Sequence, residues 1–238
     1  MFRRIAGKID PKVKAYIPNP SGPTPTPAAY TKLLMHFDTD FSDDAGHTAS
    51  NTGVVIDTAS KVFGAGSADF GDGAGNNLDF LYSADFAFAD GDFTIDFRMK
   101  LKYTAGSYHN CIFQNGSGGC GWGINFQDGS QINFVYSSTG ASFDNVVHAS
   151  FSFTEDTWYM IKVAVISGLC YLFVDGICLN PGGTALTSAI FDPGADTIIG
   201  KDPLGADMEG SLDELRILKG LGDASSDFTP PSTPYVVV

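Results

Sequence analysis

Residues 210–219, GSLDELRILK, place an acidic pair inside a segment that reads as a β-strand. Side chains alternate along a strand, so Asp213, Leu215 and Ile217 are expected on one face. That aligns a carboxylate with a core-facing aliphatic pair, and a buried carboxylate must find hydrogen bonds, a cation or a metal. Glu214, its neighbour, is expected on the opposite face. Glycoside hydrolysis needs two carboxylates roughly 5–10 Å apart that flank the sugar bond from one sheet face, which adjacent residues, pointing to opposite faces, cannot supply. Glu155, Glu209 and Glu214 are the only glutamates. His36, His47, His109 and His148 are scattered, with no strained Gly-x-Ser-x-Gly turn near them. The run Gly116-Ser117-Gly118-Gly119 reads as a hairpin tip, because neither a Lys-Ser/Thr end nor a helix follows it. These readings point away from an enzyme.

The four cysteines form no metal signature. If Asn115-Gly116 makes a two-residue turn, Cys111 and Cys120 face each other across a hairpin and a disulfide is geometrically possible. Cys170 and Cys178 flank an Asp175-Gly176 turn, in whose register Cys178 opposes Phe173 and no bond is expected. Four buried thiols are the reading that suits a reducing site of synthesis.

The elements that would position these groups are strands. FTIDFRMKLKY (93–103) alternates strictly: Phe93, Ile95, Phe97, Met99, Leu101 and Tyr103 against Thr94, Asp96, Arg98, Lys100 and Lys102. One buried face and one wet face follow. TWYMIKVAVI (157–166) and LCYLFV (169–174) are apolar on both faces and read as covered strands joined by a hairpin at Ser167-Gly168. Further strands are expected at 33–38, 53–57, 66–70, 77–81, 110–114, 121–127, 131–136, 147–153 and 196–199. No stretch keeps a helical period. Trp158 reads as core, and Trp122, flanked by Gly, as partly exposed. Even spacing with Gly-rich turns predicts an all-β, two-sheet antiparallel sandwich.

Charge divides the 238-residue chain unevenly. Residues 1–32 carry six cations against Asp10 alone, net +5, whereas residues 33–238 carry 8 basic and 26 acidic side chains, net −18. So acidic a body argues against nucleic acid as a partner. No apolar run approaches ~20 residues, so no membrane span is expected, and the N-terminus does not read as a secretory signal. In residues 1–17, Phe2, Ile5 and Ile9 interleave with Arg3, Arg4, Lys8, Lys12 and Lys14. This suits an arm that anchors to an acidic protein surface; a disordered leader is the alternative. Five prolines between 18 and 27 make residues 18–32 a semi-stiff spacer. A core domain over 33–220 and an extended C-terminal tail, 221–238, folding back along the sandwich or lying on a neighbour, complete the layout.

Several segments, in order, resemble the LamG-like, concanavalin A-like jelly-roll domains of tailed-phage virion structural proteins. They are LLMHFDTDFSDDAG (33–46), KVFGAGSADFGDGAGNNLDF (61–80), SADFAFADGDFTIDFRMKL (83–101), TWYMIKVAVISGLCYLFVDGICL (157–179) and the closing DTIIG…LDELRIL. The resemblance implies a concanavalin A-like jelly roll. It also implies a structural Ca²⁺ near the rim, with Asp38, Asp43, Asp44 and Asp213 as candidate ligands and backbone amides or an Arg as the alternative partners of Asp38 and Asp213. The Glu-x-Asp-x-x-Glu pattern of the fold's glucanases is absent. A glycan site of this fold would draw on Tyr108, His109, Asn110 and Trp122. The function implied is a non-enzymatic virion component, capsid-decorating or tail-associated, present in several copies or as a homo-oligomer. It would be assembled in the host cytoplasm and held by its arm to a major capsid or tail protein. A carbohydrate-binding adhesin contacting host glycans is the alternative.

Overall fold

The computed structural model describes residues 24–71, 75–102, 108–116, 118–201 and 207–238; the anchoring residues Phe2 to Lys14 lie outside them. Its strands are β1 (Thr24–Thr26), β2 (Thr31–Met35), β3 (Ala49–Thr52), β4 (Val55–Asp57), β5 (Ser67–Asp69), β6 (Asn77–Phe80), β7 (Phe93–Leu101), β8 (Tyr108–Gly116) and β9 (Gly119–Gln127). They continue with β10 (Gln131–Tyr136), β11 (Asn145–Ser150), β12 (Trp158–Ile166), β13 (Leu169–Val174), β14 (Ile177–Cys178), β15 (Thr184–Ala185), β16 (Thr197–Ile199), β17 (Gly210–Lys219) and β18 (Tyr235–Val237). One sheet has seven strands in the order β11-β10-β9-β8-β16-β6-β3. The other has nine, β14-β13-β12-β7-β17-β5-β4, with β15 on β13 and β2 on β17. Within both sheets neighbours are antiparallel. The expected two-sheet sandwich is what the chain forms.

Local chemistry sets the hairpins. Ser167-Gly168 and Asp175-Gly176 both take left-handed φ (50° and 77°; 49° and 79°), the pair of angles that a two-residue turn matching strand twist demands. They put Ile166 opposite Leu169 and Val174 opposite Ile177. Between the sheets, Phe93, Ile95, Phe97, Met99 and Leu101 of β7 pack into one continuous core with Trp122, Ile124, Phe126, Ile132 and Phe134 of the other sheet. Each such side chain contributes about 1.5–3 kcal/mol on burial. The two tryptophans exchange their expected places. Trp122 is fully buried, donating its Nε1–H to the Phe86 carbonyl at 2.8 Å. Trp158 opposes Lys100 on the outer face and is only half-buried, with the Lys100 ammonium 5.5 Å from its ring.

The supposedly wet face of β7 is not wet. Thr94 and Asp96 are fully buried. Lys162 of β12 and Arg216 of β17 both stand directly opposite Asp96. The Arg216 guanidinium donates to both oxygens of Asp96 and, at 2.8 Å, to Asp223 Oδ2. Lys162 Nζ donates to Asp223 Oδ1 at 2.7 Å. Asp223 belongs to the C-terminal segment, which crosses this face as a strap. Its Phe228 ring lies 4.3 Å from Lys162 Nζ, Pro231 accepts from Arg98 at 2.6 Å, and the Tyr235 ring lies 4.0 Å from the Arg216 guanidinium carbon. The tail therefore folds back on its own sandwich, and alternation within β7 could not reveal a cover supplied 120 residues later.

Both described ends of the chain meet on this strap. Tyr235–Val237 pairs in parallel with Thr24–Thr26, Arg216 Nη1 donates to Thr26 at 3.2 Å, and Ala28 N–H donates to the Val238 carbonyl at 2.9 Å. The Pro-rich spacer read over 18–32 is thus corrected from Thr24 onward: more than half of it is built into the domain, and Pro25 sits in a short edge strand, where its missing N–H costs nothing.

The reading of β17 needs a second correction. Glu214 takes a left-handed φ of 51°, and the pairing with β7 slips between Asp213 and Arg216. Here β17 exchanges one partner for another, β5 pairing with Ser211 and Leu212 and β2 with Leu215 onward. The bulge resets the alternation, so Leu212, Leu215 and Ile217 face the core while Asp213 lies opposite Arg98 on the outer side. Asp213 Oδ2 accepts from the Val62 and Phe63 amides at 2.7 and 3.0 Å, whereas its Oδ1 is buried without a hydrogen-bond partner. Desolvation pushes its carboxyl up to about 6. Glu214 is buried beside it, accepting from Tyr235 N–H at 2.9 Å and sitting 2.7 Å from His36 Nδ1. The hydrogen bond to Glu214 outweighs burial and lifts His36 to about 9.

Two outcomes follow. Arg216→Met leaves Lys162 as the single cation between Asp223 and the buried Asp96 and should cost about 3–5 kcal/mol in denaturant unfolding; a loss under about 1 kcal/mol, the size of an exposed pair, would contradict the buried network. His36, raised in the folded state, stabilises fully below its unfolded value of 6.5 and loses that contribution as pH climbs through about 9. The thermal midpoint should fall across that window, and His36→Gln should flatten the fall; an unchanged slope would refute the clasp.

Candidate functional site

The carboxylates put forward for calcium do not gather. Asp43 spends both oxygens on backbone: Oδ1 accepts from Leu34 N–H (2.7 Å) and Ala45 N–H (3.0 Å), Oδ2 from His47 N–H (2.8 Å). Asp38 Oδ1 accepts from Ala65 N–H at 2.5 Å. Asp44 lies 3.4 Å from His36 Nε2, and Asp213 holds the 62–63 turn. Among the described residues no three His, Cys, Asp or Glu side chains converge as metal ligands. The donor set does not fit calcium; these aspartates organise loops, the alternative foreseen for Asp38 and Asp213.

The four buried thiols expected from the sequence are what the structure holds, and the geometrically possible Cys111–Cys120 bond does not form. The hairpin closes with Gly116 opposite Gly119, not at Asn115-Gly116, which puts Asn115 rather than Cys111 opposite Cys120, and Cys111, Cys120, Cys170 and Cys178 are all buried thiols. Cys178 opposes Phe173, as the turn dictated.

The four residues expected to assemble a glycan platform separate onto two faces. His109 opposes Phe126 and Trp122 lies in the core, both fully buried. Tyr108, 47% exposed, and Asn110 lie on the outer face of the seven-stranded sheet. There they begin something larger. Across β8, β9, β10 and β11 the register aligns Tyr108, Gln127, Gln131 and Ser150 in one row and Asn110, Asn125, Asn133 and His148 in the next. A third row is apolar: Phe113, Gly123, Val135 and Val146. Opposed residues on paired strands share a face. Gly123 is required because a Cβ there would stand 2.2 Å from the Phe113 ring.

The amides are oriented by one another. Asn133 Nδ2 donates to Asn125 Oδ1 at 2.7 Å, and Gln131 Nε2 donates to Asn133 Oδ1 at 2.5 Å. Asn110, Asn125 and Asn133 are recessed, flanked by the exposed Tyr108 and Val146. In the third row Phe113 and Gly123 are buried, Phe113 against the Phe143 ring, so Val135 and Val146 carry the apolar strip beside two uncharged polar rows whose carboxamides can both donate and accept. That is the composition of a site for a neutral, polyhydroxylated ligand. The sequence carried a signal for it, Asn or Gln at alternate positions in 125–127 and 131–133, which only the strand register turns into a surface.

A family model for the "Concanavalin A-like lectin/glucanases superfamily", of laminin G type, matches residues 72–222, well over half of the chain. No curated protein matches it. Among solved structures, the binding domain of Paraclostridial Mosquitocidal Protein 1 superposes with a TM-score of 0.64 at 14% identity, covering 84% of this chain and 50% of that one. The receptor-binding domain of botulinum neurotoxin type G gives 0.61 at 13% (82% and 49%), and that of botulinum neurotoxin D gives 0.60 at 11% (85% and 50%). This chain thus spans about half the length of each, and at such identity the likeness is one of fold. On the family match and the two-sheet sandwich together, the chain belongs to the concanavalin A-like lectin/glucanase superfamily.

Proposed function

We propose that this chain is a non-enzymatic binding module, carried on a tailed-phage particle by its N-terminal arm and presenting the outer face of its seven-stranded sheet to a neutral glycan. One observation carries the reading. The two ends of the described chain are clamped together on the outer face of the nine-stranded sheet, while the amide rows occupy the outer face of the opposite sheet. An arm leaving from Thr24 starts on the side turned away from the amides, the layout of a tethered, outward-facing head. The fold's likeness to toxin domains titled as binding or receptor-binding supports recognition over catalysis, though fold alone assigns no ligand. Asp213 and Glu214 also stand on the tethered side, engaged with backbone amides and His36. The partner of the arm is a capsid or tail protein, and its basic-apolar residues Phe2 to Lys14 suit an acidic docking surface.

A glycan array probed with the full chain should show neutral saccharides bound, and Asn125→Ala or Asn133→Ala should weaken binding about tenfold, the loss of one or two hydrogen bonds. A blank array would overturn the ligand reading. Deleting residues 1–17 should abolish incorporation into particles without lowering the thermal midpoint; full incorporation would overturn the tether. The proposal has no calcium in it: chelator should leave the midpoint unchanged, and a rise with Ca²⁺ that Asp43→Asn removes would contradict it.

A further inference from the structure

The seven-stranded sheet ends at β11, Asn145–Ser150. β10 covers one side of this strand, and no backbone hydrogen bond from another described residue satisfies the other. An edge strand exposes a row of unpaired N–H and C=O groups and is ordinarily guarded by brevity, by Pro, by charge or by a bulge. The edges β3, β4 and β14 are guarded by brevity, with four, three and two residues, and the outer side of the five-residue β2 is covered by the 43–44 turn, through Leu34 N–H to Asp43 Oδ1 and Asp44 N–H to the Leu34 carbonyl. β11 has six residues in unbroken register with β10 and holds no Pro and no Asp, Glu, Lys or Arg. Its sequence, NVVHAS, buries Val147 and Ala149 in the core and leaves Val146 53% exposed.

We infer that β11 is a self-association edge, pairing antiparallel with β11 of a second copy so that two seven-stranded sheets join into one. The occupant is argued from charge and from geometry. A chain with a formal charge of −13 repels its copies over most of its surface, and a neutral strand is where two of them can meet. Antiparallel pairing of identical strands closes about a two-fold axis. With that axis perpendicular to the sheet, Val146, His148 and Ser150 of both copies lie on the same outer face. The amide rows then run on from one copy into the next, and both strapped faces, with the exits of both arms, stay on the opposite side. The dimer thus has its two ligand faces outward and its two tethers inward, which gives a weak single site the benefit of avidity. The association itself rests on the strand edge and not on what the amide face binds.

Sedimentation equilibrium of the full chain over a micromolar range tests this. The chain should behave as a monomer–dimer system. Val146→Lys, which sets a charge on the outer face of the joint, should raise the dimer Kd at least about tenfold. Val55→Lys, at the exposed position of the short β4 edge, should leave it unchanged. Because both positions are exposed, neither change threatens the fold, and circular dichroism confirms that. A monomer throughout the range would overturn the inference, as would a dimer untouched by Val146→Lys or equally weakened by Val55→Lys. Sedimentation is read without any saccharide present, so its outcome does not depend on what the amide face binds.

Discussion

Lys162, Asp96 and Arg216 stand side by side on three neighbouring strands, and with Asp223 they form a buried group of two positive and two negative charges. Taken singly, each would be ruinous in an interior; together they cancel, and their hydrogen bonds are directed at one another. The neutralising fourth member is not on a strand. It comes from the segment after β17, so the sheet's outer face is satisfied only when that segment lies across it. Much of what is unusual in the molecule follows from this need: the burial of Asp96 on a face that alternation assigns to water, the stacking of Tyr235 on Arg216, and the pairing of Tyr235–Val237 with Thr24–Thr26.

A charged seam has a different consequence from an apolar one. Apolar contacts tolerate sliding, whereas an Arg fork shared between two carboxylates fixes position and angle. The strap is therefore held in one place, and the bulge at Glu214 adds a second anchor by turning that carboxylate toward His36 and the Tyr235 amide. The nine-stranded sheet becomes the closed side of the sandwich, carrying both ends of the described chain. The seven-stranded sheet keeps its outer face for amides and an apolar row, with β11 as an open margin. Division of labour between two sheets, one for attachment and one for recognition, is the physical content of the proposed role.

Features governed by neighbours in sequence were legible; features governed by distant segments were not. The apolar stripe of β7 and the paired strands β12 and β13 could be read because alternation and left-handed turn pairs are local properties. Asp213 was misassigned because one residue, Glu214 in a left-handed conformation, shifts the parity of everything after it, and nothing in LDELRIL announces the bulge. Trp122 looked exposed between glycines, yet those glycines face outward to make room for Phe113 and Gln114 while the indole points inward. The amide rows needed the register of four strands before Asn110, Asn125 and Asn133 could be seen as one surface. Among the aspartates of 38–44, Asp38 and Asp43 hold backbone amides and Asp44 faces His36.

Amide hydrogen exchange of the intact chain addresses the central claim most directly, that a buried ion network clamps Thr24–Thr26 and Tyr235–Val237 onto one face. The account predicts that the amides of Thr24, Thr26 and Tyr235–Val237 exchange orders of magnitude more slowly than an unstructured terminus, and that Arg216→Met brings them all to the unprotected rate together. Exchange of those amides at the rate of a free tail in the unaltered chain would contradict it.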